Sequence, residues 1–184
     1  MVQDEDLDWA EDLESGDSIA DAVSAAFRRG IARWQRLGLR PEHVVTRWED
    51  GLLTMIVDID DEDRRCIVRT LRADFAGARV LIGRDPTGQW VTPLIEGEDG
   101  VRCHDVRGKT PEEIGALMVG LFEVEIIRPI YREEWDDNQF HRWVLGDTGE
   151  ELVWGSLTNR RPDQVGVPQR RIQLQGASTT TRSV

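Results

Sequence analysis

Lysine is almost missing from this chain. Of 23 basic residues 22 are arginine, and Lys109 stands alone. Arginine pairs carboxylates through a planar fork, which lysine does not offer. The same bias follows from the codon usage of a high-GC bacterial genome, which accounts for it without a functional role. Cysteine is also scarce. Two residues, Cys66 and Cys103, in 184 do not make a disulfide scaffold. No Cys-x-x-Cys or His-x-x-x-His spacing occurs, so neither a zinc site nor any other metal site is expected. No apolar run approaches the ~20 residues that span a bilayer. The N-terminus has no basic segment followed by an apolar one, the mark of a secretory signal. These absences lead to the expectation of a soluble, cytoplasmic protein with no membrane association.

Catalytic signatures are missing too. There is no Gly-x-Ser-x-Gly and no dinucleotide fingerprint, and no cofactor is expected. Gly108-Lys109-Thr110 echoes the end of a phosphate loop, but the upstream glycine it needs is Cys103. Cys103-His104-Asp105 cannot form a triad with one another, because neighbours on a strand point to opposite faces. Three histidines, His43, His104 and His141, lie on separate expected strands and would bind a metal only if the fold brought them together. Asp58–Asp63 holds five carboxylates, yet a calcium loop starting at Asp58 would place Asp63 and Arg69 where glycine and glutamate belong.

Negative charge is what the sequence has in abundance. The net charge is −12, and the first 17 residues carry eight acids and no base. From Asn159 onward there are five arginines against Asp163. Such a field repels phosphates, so no nucleic-acid partner is expected, and it steers a basic partner instead. The pattern divides the chain into a disordered acidic tail (1–16), a single α+β domain (17–158) and a loosely structured basic tail (159–184).

The apolar pattern supplies the elements. Residues 18–37 read as a helix opened by a Ser18/Asp21 capping box, with Ile19, Val23, Phe27, Ile31 and Trp34 on one face, and closed by Gly38. Residues 43–107 read as short strands (43–48, 52–59, 65–71, 78–82, 90–95 and 101–106) separated by turn signals. A second helix is expected over 110–122, with a Thr110/Glu113 box and Pro111 in its first turn. Val124–Tyr131 is ambiguous between helix and strand. Phe140–Leu145 and Glu151–Leu157 form a hairpin, and Arg171–Leu174 can add an edge strand. The expected fold class is α+β, an antiparallel meander sheet with two main helices packed on one face, flanked by the two tails.

Candidate partner-binding residues combine acids with aromatics. They are Leu7 and Trp9 in the acidic head; Asp58, Asp60, Asp61, Glu62 and Asp63 in the acidic turn; and Tyr131, Glu133, Glu134, Trp135, Asp136 and Asp137. Rings rimmed by carboxylates suit an arginine- or lysine-rich partner. In composition and element order the chain is similar to small acidic binding proteins of bacteria, namely immunity proteins that neutralise toxins and acidic secretion chaperones. That resemblance implies a non-enzymatic module masking a basic protein partner, most concretely an immunity protein (antitoxin). The alternatives are a secretion chaperone for an exported substrate, with a homodimer possible, and a small enzyme using His104 or the Asp58–Asp63 cluster.

Overall fold

Helix α1 (Ser18–Ile31) is capped one residue earlier than the sequence pattern suggests. Asp17 is the N-cap, and its carboxylate accepts from the backbone N–H of Ile19 and of Ala20. Asp21 turns outward and holds Ser15 through both its N–H and its hydroxyl. The helix then tightens into a 3-10 stretch, Ala32–Leu37, which ends at Gly38 with φ 82°. Only glycine takes that conformation without strain. This computed structural model describes residues 13–85, 93–135, 140–156 and 166–175. Leu7, Trp9, Asp136 and Asp137 lie outside the described residues.

The α+β class is as expected, with two α-helices and nine strands among the described residues. The strands divide between two antiparallel sheets. The first is the meander, in order β1 (Val44–Glu49), β2 (Leu52–Asp61), β3 (Cys66–Ala76), β4 (Arg79–Arg84) and β5 (Arg102–Asp105). The second comprises β6 (Ile130–Glu134), β7 (Phe140–Leu145), β8 (Glu151–Ser156) and β9 (Arg170–Gln175), in the order β8-β7-β6-β9. The Arg171–Leu174 segment is therefore an edge strand beside β6. Of the strand expected over 90–95, residues 90–92 lie outside the described residues and 93–95 are not in a strand.

Helix α2 (Pro111–Ile126) opens with the expected reciprocal box between Thr110 and Glu113. It runs four residues past the expected end, where Ile126 finds a fully buried seat. The ambiguous stretch is thus split, helix to Ile126 and strand from Ile130. Contacts between Ala26 and Gly115, Gly30 and Val119, and Trp34 and Glu123 advance in the same sense along α1 and α2, so the helices run parallel. They touch closely. A Cβ on Gly115 would lie 2.6 Å from the Ala26 Cβ and 2.8 Å from the Phe27 backbone nitrogen.

The core lies between these helices and one face of the first sheet. Phe27, Trp34 and Phe122 meet edge-on with centroids 5.7–5.9 Å apart. Below them sit Leu53, Met55 and Val57 of β2 and Leu71, Ala73 and Phe75 of β3. The second sheet closes the same core with Ile130, Trp143 and Leu145. The opposite face of the first sheet carries a buried polar cluster. The Thr54 hydroxyl and the Arg72 Nε both donate to Asp74 Oδ1, at 2.9 and 2.8 Å, and the Leu94 N–H donates to Asp74 Oδ2. No helix among the described residues is long and apolar enough to cross a membrane.

Candidate partner-binding face

The acidic run Asp58–Asp63 ends β2 and enters the turn to β3. A bulge between Ile59 and Asp60 leaves Val68 of β3 without an opposite residue and re-aims the strand end. Beyond it the carboxylates part company. Asp61 points inward at 2% exposure, while Glu62 and Asp63 stay out, their side chains 67% and 75% exposed.

Asp61 is the root of the turn. Arg132 of β6 donates to both of its oxygens, and Trp143 Nε1 of β7 donates to Oδ2 at 2.8 Å. Arg132 Nε reaches on to Glu134 Oε1 at 2.8 Å, and Arg64 Nη2 donates to the same oxygen at 2.7 Å. The chain of charges bolts the tip of the first sheet to the second. Burial pushes the Asp61 carboxyl up, but the bonds from Arg132 and Trp143 outweigh it and hold it below the ordinary value. Burial likewise opposes ionisation of Glu134, and Arg64 and Arg132 overcome it. Arg132 also donates to Asp63 at 3.2 Å, tethering one exposed carboxylate from below.

Asp60 belongs to a second, smaller set. The backbone N–H of Arg40 donates to His43 Nδ1 at 3.2 Å, and the ring's Nε2 lies 3.4 Å from Asp60 Oδ1. Arg40 lies 3.8 Å from Asp60 and 3.4 Å from Glu62. Arg40, Asp60, Glu62, Arg65, Cys66 and Ile67 line an open cleft of about 380 Å³. The Cys66 thiol there is pushed up by burial and by Asp61, so it is not a ready nucleophile. Asp58 is half-buried on the other face and accepts from the Thr70 hydroxyl at 2.6 Å; burial raises its pKa against that bond.

The 131–135 segment is mostly internal. Glu133, Glu134 and Trp135 are buried, at 7%, 3% and 6% exposure. Glu133 accepts from Arg142 at 2.8 Å, and the Trp135 indole N–H donates to the Gly166 carbonyl. Tyr131 is half-buried under the Arg171 guanidinium, 4.3 Å from the ring centre. Of the sequence candidates that the structure describes, the exposed carboxylates are Glu62 and Asp63, with Asp60 at the cleft edge.

The three histidines do not converge. His43 precedes β1 and His104 sits on β5, at opposite edges of a five-stranded sheet, roughly 19 Å apart at ~4.8 Å per strand. His141 lies on β7, where burial, and after it the nearby Arg64 and Arg132, lower its pKa. His104 Nε2 and His141 Nδ1 are buried without a hydrogen-bond partner. Among the described residues no group of three or more His, Cys, Asp or Glu side chains is placed to hold a metal.

Sequence reasoning missed Arg132, Arg64 and Trp143, the residues that organise the turn. The available signal was the alternation Ile130, Arg132, Glu134, which puts two charges on the same strand face as a core isoleucine. Against family models, curated proteins and solved structures, the chain matches none.

Proposed function

We propose that this chain is a non-enzymatic binding module that receives a basic protein partner on the tip of its β2–β3 hairpin. In its most concrete form it is an immunity protein that neutralises a bacterial toxin. One observation carries the reading: exposed Glu62 and Asp63 extend from a turn whose root, Asp61, is locked by Arg132 and Trp143. A charge held still before binding costs less ordering entropy when it binds, so the turn is preorganised for a cation. Asp60, steadied by His43 and Arg40, extends the acidic edge. The net charge of −12 adds a long-range pull on a basic partner.

The test is affinity capture from the native host with the wild-type chain and with E62K/D63K, washed at low and high salt. A stoichiometric basic partner held by wild type and lost by the reversal supports the reading. Inhibition of that partner's activity by wild type alone supports the immunity form. Equal retention of the same partner by both chains, with the same salt dependence, overturns it.

A further inference from the structure

A different surface, away from the acidic turn, is apolar with a basic rim. Arg33, Arg36, Leu37, Gly120, Glu123, Val124 and Ile127 line a groove of about 460 Å³ between the 3-10 extension of α1 and the C-terminal half of α2, with Glu123 paired to Arg33 at 2.6 Å. Val124 and Ile127 are 54% and 52% exposed. We propose that this groove seats the chain's own acidic N-terminal segment, residues 1–12, with Leu7 and Trp9 on its apolar floor.

Charge argues for that occupant. After Asp21, α1 and its extension carry Arg28, Arg29, Arg33 and Arg36 and no acid. Arg29, Arg33 and Arg36 are exposed and recur at helical spacing; Arg33 is paired with Glu123 and Arg29 lies 3.9 Å from Glu112, and Arg36 adds a further positive charge at the groove. Residues 1–12 hold six acids and no base, with Leu7 and Trp9 among them. In a chain of net charge −12, this stretch of arginines is one of the few places where such a segment finds attraction.

Reach argues for it as well. Ser15 is fixed beside the first turn of α1 by its two bonds to Asp21, and Leu13 packs against the core. Arg33 lies twelve residues beyond Asp21, about 18 Å along the helix at ~1.5 Å per residue. An extended chain covers up to ~3.4 Å per residue, so Trp9 and Leu7 reach about 14 and 20 Å from the packed Leu13. The groove has the volume of a small-ligand pocket, suited to one or two large side chains rather than to the face of a domain.

The test uses the full chain with p-benzoylphenylalanine in place of Trp9. After irradiation, a cross-link to residues 120–127 at monomer mass is expected, and V124E abolishes it. Val124 is exposed, so that variant keeps its circular dichroism spectrum. Hydrogen exchange gives an independent readout: in L7S/W9S, amides of Gly120–Ile127 exchange at least ~threefold faster while those of β2 and β3 do not change. Cross-links that fall elsewhere, or appear only at dimer mass, overturn the proposal. So does a cross-link that survives V124E, or exchange that L7S/W9S leaves unaltered.

Discussion

The two junctions that hold this molecule together are built from opposite materials. Helices α1 and α2 meet through apolar rings and a glycine contact, where Phe27, Trp34 and Phe122 are fully buried. The two sheets meet beside the acidic turn through buried ions, Asp61, Arg132 and Glu134, all below 5% exposure. Apolar burial is non-directional and tolerates small shifts. A buried ion pair is directional, and removing one partner strands the other's charge. The helical junction therefore supplies stability, while the ionic one fixes geometry and conveys it to the exposed carboxylates above.

Breaking the apolar junction has the largest expected effect. F122A removes a fully buried ring and leaves a cavity, a loss of about 3–5 kcal/mol in denaturant unfolding. R132A comes next, at about 3 kcal/mol, the low end for a broken buried pair, because Asp61 keeps Trp143 and the Arg64 N–H as donors. The two variants separate in a second readout. R132A loosens the acidic turn, seen as faster exchange at residues 61–65, whereas F122A leaves that turn's local protection in place relative to its new global stability.

Acid distinguishes the junctions further. The His141 pKa is depressed, so the unfolded chain takes up that proton first, and stability falls as pH drops below ~6.5. Asp61 and Glu134 are depressed as well. Their contribution is present above the unfolded carboxylate range near ~4 and is lost as pH falls through their lower folded values. Asp58, raised by burial, runs the other way: its contribution is present at low pH and is lost as pH rises through its folded value. Thermal unfolding across pH should show a shallow step near 6.5 and a steeper one near 4. H141N, which cannot be protonated there, should remove the upper step alone. The smallest effect belongs to E112A. Its 3.9 Å pair with Arg29 joins two side chains that are 64–69% exposed, and no resolvable change in the unfolding midpoint is expected.

The same contrast explains what could be read from the residues. The apolar junction was legible: Phe27, Ile31 and Trp34 recur at helical spacing, and Thr110, Pro111 and Glu113 mark the start of α2. Charge misleads where it is buried. Strand β3 runs to Ala76, but Arg72 and Asp74 break the apolar pattern and end the expected strand at Leu71. Nothing local shows that these two charges satisfy each other across from Thr54. Asp61 and Glu134 read as surface acids for the same reason, since Arg132 lies 71 residues from Asp61 and Arg64 lies 70 from Glu134. The division into two sheets was hidden too, because strand spacing constrains neighbours but not which sheet a distant hairpin joins.

The parallel seating of α1 against α2 has a consequence for biosynthesis. Arg33 and Glu123 are 90 residues apart in sequence, and the rings beside them, Trp34 and Phe122, are 88 apart. At ~5–20 residues per second, about 5–18 s pass between translation of Trp34 and of the residues that cover it. Through that interval Phe27, Ile31 and Trp34 lack the α2 side of their core, while the β2–β3 hairpin, a local contact, is already able to form. The first helix made thus completes its packing only after α2 has been translated. Slowed or stalled synthesis between residues 40 and 110 should expose this chain to aggregation more than the same delay placed after Ile126.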